Sequence, residues 1–120
     1  MPRERSEAAA LFDMLKAAQA ILRHTSGKSR DDYEREEIVR HAVERNIEII
    51  GEAARRLPSE FRDQHPQLPW RAIMGTRHIL AHDYDEVDNE IVWRIVTDHI
   101  PPLIEQLRAL LPPPPPASPP

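Results

Sequence analysis

The sequence predicts an all-α fold, an up-and-down helical bundle of four to five helices. Apolar residues recur at three- and four-residue steps through the long segments, no segment alternates as a strand does, and glycines and prolines mark breaks between the segments. Composition agrees: 40% of the 120 residues are hydrophobic and only 5% aromatic, so the core must come from Leu, Ile, Val and Ala. That length allows one domain with a modest core.

Residues 5–26 read as the first helix, with Ala9, Phe12, Leu15, Ala18, Ile21 and Leu22 as its buried stripe and Gly27 as its C-terminal stop. Ser29 or Asp31 can cap a second helix from about Asp32 to Leu57. Its apolar positions are Ile38, Val39, Ala42, Val43, Ile47, Ile50, Ala53, Ala54 and Leu57. Gly51 lies inside it, and an interior glycine costs roughly 1 kcal/mol against alanine, which marks close approach of another helix. Pro58 and Ser59 open a short third helix through about Arg62, anchored by Phe61. Pro66 and Pro69 make 65–69 a connection, and Pro69 suits the first turn of a fourth helix carrying Trp70, Ile73, Met74 and Leu80.

Asp85 or Asp88 starts the last helix. Its core line is Val87, Ile91, Val92, Ile95, Val96, Ile100, Leu103, Leu107 and Leu110, and Pro101-Pro102 should bend or break it near His99. Trp70 and Trp93 read as core or dimer-interface anchors. Residues 1–111 form the helical domain, and 112–120 have the composition of a polyproline II tail, read as a disordered end rather than a ligand for a proline-binding domain.

Composition also excludes functions. There is no cysteine, so disulfides, thiolate zinc sites and cysteine nucleophiles are absent. No apolar run approaches the ~20 residues of a membrane helix, and residues 1–7 are too charged for a secretory signal, so a soluble cytoplasmic protein is expected. The net charge of −4 argues against broad polyanion binding. Apart from Lys16 and Lys28 the basic residues are arginines, whose planar fork suits phosphate and carboxylate, although most are expected to be solvated faces.

The candidate chemistry lies in 70–84, where Arg77, His82 and Tyr84 form an R-x4-H-x-Y pattern. Arginine stays charged near neutrality while histidine titrates there, which pairs a phosphate anchor with a proton shuttle. The pairing suits metal-independent transesterification by an RNA 2′-hydroxyl. His82 would act as base or acid, Arg77 would stabilise the phosphoryl oxygens, and Tyr84 would donate to phosphate or stack on a base. On a regular helix Arg77 and His82 stand about 140° apart. They converge only if the helix ends near 80–82, or if a second subunit completes the site. Asp83 and Asp85 favour a turn there.

Other constellations are weaker. His78 and His82 have a helical metal-ligand spacing, but residue 79 is Ile and no third or fourth ligand converges, so no metal is expected. Glu48 and Glu52, one turn apart, either orient Arg77 or His82 from behind or pair along their own helix with Arg45 and Arg55.

Three segments carry a family resemblance: Arg45 to Ala54; Pro69 to Gly75 leading into Arg77 to Tyr84; and Val87 to Trp93 followed by Ile100, Pro101 and Leu103. Together they resemble the HepT-like family, a branch of the HEPN superfamily of small helical prokaryotic proteins. The resemblance implies a homodimeric toxin of a type VII toxin–antitoxin module. Such a toxin cuts RNA without metal or cofactor through the motif that falls on Arg77, His82 and Tyr84. It also implies a partner, an MntA-like nucleotidyltransferase antitoxin that forms a higher heteromeric complex with the toxin and transfers AMP to Tyr84. The residue after the motif arginine is His78, where the family commonly has Asn; it is either a bystander or a member of the proton shuttle. Pro102 and the proline-rich tail also depart from the family. Two other readings stay open. One is a non-catalytic module that holds a nucleotide or presents Tyr84 to a partner; the other is a purely structural bundle with the motif at a helix junction.

Overall fold

The computed structural model describes the backbone of residues 3–80 and 88–112, and the side chains of 5–76 and 88–112. Among these residues every regular element is a helix, without strands. Helix α1 (Arg3–Thr25) is followed by α2 (Arg30–Arg35), α3 (Glu37–Arg56), α4 (Ser59–Gln64) and α5 (Trp70–Leu80). After the undescribed stretch come α6 (Asn89–Arg94), a π-helical segment (Ile95–His99) and α7 (Ile100–Leu110). Helix α1 packs along α3 and α7, while α3 also meets α5. No helix of the described residues is long and apolar enough to cross a membrane.

Local signals explain most of the boundaries. Gly27, at φ 73°, supplies the left-handed turn after α1. Ser29 caps α2 in a reciprocal box: its hydroxyl accepts from the Asp32 amide at 3.1 Å and its own amide donates to the Asp32 carboxylate at 3.0 Å. Asp88 caps α6 by accepting from the amides of Glu90 and Ile91.

Two expectations are corrected. The expected second helix is two, because the backbone turns extended at Glu36 (φ −98°, ψ 94°). Lys28 Nζ holds the Glu36 carboxylate there at 2.8 and 3.0 Å. On one continuous helix Tyr33 would stand about 80° from Val43; the break turns α2 so that Tyr33 is fully buried, 5.5 Å from the Trp93 ring. Second, the stripes are rotated. Leu11 and Met14 are buried on α1, whereas Phe12 and Ala9 are exposed, as are Ile38 on α3 (85% exposed) and Ile91 on α6. The expected interruption near His99 is present: α6 ends at Arg94, a π-helical turn spans Ile95–His99, and the Ile100 amide reaches back five residues to the Ile95 carbonyl. Pro101 and Pro102 sit in the first turn of α7, where missing amide donors are tolerated. Of the proline-rich segment, residues 113–120 lie outside the described residues.

Candidate active site

Helix α5 carries the backbone of Arg77, the first residue of the motif. It starts after Pro69, whose carbonyl accepts from the Ile73 amide at 2.9 Å, and Trp70 anchors it by donating Nε1 to the His65 carbonyl at 2.8 Å. The indole also meets Phe61 edge-on, with ring centres 6.4 Å apart. Trp70 and Ile73 are buried, and Arg77 follows them at the three-, four-residue step that keeps one side of a helix.

The crossing of α3 on α5 lies just before the motif. A Cβ on Gly51 would stand 3.4 Å from the Ile73 carbonyl oxygen and 3.6 Å from Thr76 Oγ1, so Gly51 does mark the predicted close approach. Thr76 Oγ1 donates to that same carbonyl at 2.8 Å. One turn further along α3, Arg55 Nη2 donates to the Met74 carbonyl at 2.9 Å. The backbone entering Arg77 is therefore held from α3 by small-residue contact and by the Arg55 hydrogen bond to the Met74 carbonyl.

The backbone of Arg77 and His78 is helical. The expected turn near 80–82, together with His82, Asp83, Tyr84 and Asp85, falls outside the described residues. On α3, Glu48 is half-buried and Glu52 exposed. Both face Arg45, whose Nη1 stands 3.3 Å from Glu48 and 3.8 Å from Glu52. This is the intrahelical pairing expected for Arg45. Arg55, the other expected partner, instead turns to α5.

Two concavities flank α5. An apolar cavity of about 530 Å³ opens on one side, walled by Ile47, Ile50, Ile73, Thr76, Ile95 and Leu103, with Arg94, Asp98 and His99 also lining it. On the other side a shallow cavity of about 450 Å³ is bordered by Arg55, Arg62 and Arg71. Sequence reading missed this convergence. It gave Arg55 a helical partner and gave Arg62 and Arg71 no role, because no linear spacing joins residues on three helices. No group of three His, Asp or Glu side chains suited to a metal occurs among the described residues.

Comparison with known proteins completes the picture. The sequence profile of the family described as Ribonuclease HepT-like matches residues 14–110. A "Putative RNase" of Methanocaldococcus jannaschii is 33% identical over 104 residues, covering 87% of this chain and 95% of the relative. A "Putative RNase" of Caldanaerobacter subterraneus subsp. tengcongensis is 35% identical over 101 residues, covering 84% of this chain and 90% of the relative. A "Probable ribonuclease HepT" of Thermococcus cleftensis is 35% identical over 108 residues, covering 88% and 98%. No solved structure gives a significant match.

Proposed function

The chain belongs to the HepT-like ribonuclease family, and on that premise we propose that it is a metal-independent ribonuclease, the toxin of a type VII toxin–antitoxin module. The observation that carries this reading is the Arg77–His82–Tyr84 pattern lying inside the family match.

The chemistry is an in-line displacement. The RNA 2′-oxygen attacks the adjacent phosphorus, the P–O5′ bond breaks, and a 2′,3′-cyclic phosphate and a 5′-hydroxyl end result. A base takes the 2′ proton and an acid returns one to the leaving 5′-oxygen. His82 of each protomer in a homodimer divides those two roles, and Arg77 holds the charge that develops on the phosphoryl oxygens. Tyr84 is the control point. Its phenolic oxygen attacks the α-phosphorus of ATP in the active site of an MntA-like nucleotidyltransferase, pyrophosphate leaves, and the resulting AMP ester places a bulky anion against Arg77.

The test is cleavage of a short RNA by the purified full chain in the presence of a chelator. His82→Ala and Arg77→Ala should abolish cleavage and growth toxicity while circular dichroism stays that of the parent. Removal of acid–base catalysis alone is worth about 10²–10⁴-fold. A rigorously purified His82→Ala protein that still cuts at the parent rate would refute the catalytic reading. With ATP and the partner, intact mass should rise in AMP steps on the parent chain; an equal rise on Tyr84→Phe would remove Tyr84 from the control role.

A further inference from the structure

We propose that the trough between α3, α4 and α5, bordered by Arg55, Arg62 and Arg71, is a phosphate-backbone subsite that holds single-stranded RNA beside the bond to be cut. This rests on the ribonuclease reading above and adds to it a binding surface outside the motif.

Six of the twelve arginines with described side chains meet carboxylates: Arg30 with Glu34 and Glu90, Arg35 with Asp32, Arg45 with Glu48 and Glu52, Arg56 with Asp13, Arg94 with Glu90, and Arg108 with Glu105. None of the three trough arginines meets a described carboxylate, and the trough is where three such guanidiniums converge. Arg55 donates to the Met74 carbonyl and Arg62 to the Met74 sulfur, both neutral acceptors on α5. Arg71 is exposed on α5 and makes no ion pair with a described residue. The Arg55 fork is thus tied to α5 with its charge uncompensated, Arg62 lies against the Met74 side chain, and Arg71 is free to close on a ligand. A guanidinium anchored by one hydrogen bond keeps further donors for a phosphate, and it loses less rotamer freedom on binding than a solvated one.

The shape suits an extended ligand. The cavity of about 450 Å³ is shallow and continues into another of about 680 Å³, with Arg62, Asp63, Trp70 and Arg71 lining both. Such an open channel fits a strand lying along the surface rather than an enclosed nucleotide. Asp63, the one carboxylate shared by both linings, would repel a phosphate, which favours a path on the arginine side.

The trough also points toward the motif. Arg71, Met74 and Gly75 step along one face of α5, and the next backbone position on that face is His78, beside Arg77. A strand in the trough therefore runs along α5 toward the turn whose backbone carries Arg77 and His78. The net charge of −4 works in the same sense: most of the surface repels a polyanion, so contact is confined to the local positive patch.

The experiment uses the full chain with Arg62→Gln, Arg71→Gln and the double variant, each in an otherwise wild-type chain for cleavage and in a His82→Ala background for binding. The probes are a 20-nucleotide single-stranded RNA and a dinucleotide substrate. The double variant should bind the 20-mer roughly 10-fold more weakly at low salt. The slope of log affinity against log salt should become shallower by about 0.7 for each phosphate that the variant no longer neutralises. Its kcat/KM on the dinucleotide, too short to reach the trough, should stay at the parent value. Unchanged affinity and salt slope, with cleavage intact in the otherwise wild-type chain, overturn the subsite alone. A parent chain that neither binds nor cuts either probe overturns both the subsite and the ribonuclease reading. Equal loss on dinucleotide and 20-mer overturns the subsite by placing these arginines in the catalytic step or the fold.

Discussion

Helix α3 serves two different interfaces. Toward α1 the contact is made by large apolar side chains: Met14, Ile21 and Val43 are fully buried, and the Arg56–Asp13 ion pair ties α3 to α1 across the surface. Toward α5 the helices approach through Gly51, and a cross-link runs from Arg55 to the Met74 carbonyl. The first interface is held by burial, which is non-directional and tolerant of small shifts. The second is held by close approach and a directional hydrogen bond, which fix the axial position of α5 and so of the Arg77 backbone. Stability is therefore concentrated on one side of α3 and positioning on the other.

The largest effect should come from emptying the first interface. Met14→Ala removes a fully buried side chain of α1 and should cost about 2–5 kcal/mol in urea unfolding. A loss below about 1 kcal/mol would mean that this interface does not carry the stability assigned to it. At temperatures where the variant stays folded, RNA cleavage should remain close to the parent rate, since α5 is anchored elsewhere.

The second interface should respond in the opposite proportion. Gly51→Leu drives a long side chain against the Ile73 carbonyl and should cost about 1–3 kcal/mol. Because it displaces α5, it should lower kcat for cleavage more than that stability loss explains. Gly51→Ala separates propensity from displacement. The added methyl would sit at ordinary contact distance, 3.4 Å from the Ile73 oxygen, so the variant should gain up to about 1 kcal/mol of helix propensity. Cleavage should be retained. Destabilisation by alanine would show the crossing to be tighter than its geometry.

These two interfaces were unequally legible in the sequence. Gly51 could be read because an interior glycine has a local cost that needs a reason, and the caps at Ser29 and Asp88 could be read because capping is a short-range code. The rotation of the α1 stripe toward Leu11 and Met14 could not, because Ala9 and Phe12 fit the same period and only the position of α3 decides between them. The break at Glu36 has no proline or glycine to announce it; it depends on Lys28 reaching across from the preceding loop and on the burial of Tyr33. Of the candidate site, the motif spacing was legible and the arginine trough was not, since Arg55, Arg62 and Arg71 meet only in three dimensions.

Tyr33 offers a smaller test of the buried side. Its ring is fully enclosed, yet its hydroxyl has no hydrogen-bond partner among the described residues. Tyr33→Phe deletes that polar group and keeps the ring, so it should be neutral or stabilising by about 1 kcal/mol. Burial, and then the nearby Glu44 charge, push the phenol above its ordinary value of 10.0. The folded state thus holds its proton where the unfolded chain releases it. This contribution is complete below pH 10 and is lost as pH rises beyond it. The parent should therefore lose stability relative to Tyr33→Phe in the alkaline range, and parallel pH profiles would contradict the assignment.

The smallest expected effect lies at the cap that sets α2 in place. The Asp32 carboxyl is held below its ordinary 3.8, first by the Ser29 amide and then by the Arg35 guanidinium. A depressed carboxylate stabilises the fold above its unfolded pKa, and that contribution disappears as pH falls through the lower folded value. Asp32→Asn should accordingly be less stable than the parent at pH 7, and the gap between the two urea midpoints should narrow steadily below pH 4. Both groups stand in solvent, so added salt should shrink the Arg35 part while leaving the Ser29 hydrogen bond. A gap that is the same at pH 3 and pH 7 would trace the cap to geometry rather than charge. It would leave burial of Tyr33, and not the Ser29–Asp32 box, as the reason the chain turns at this point.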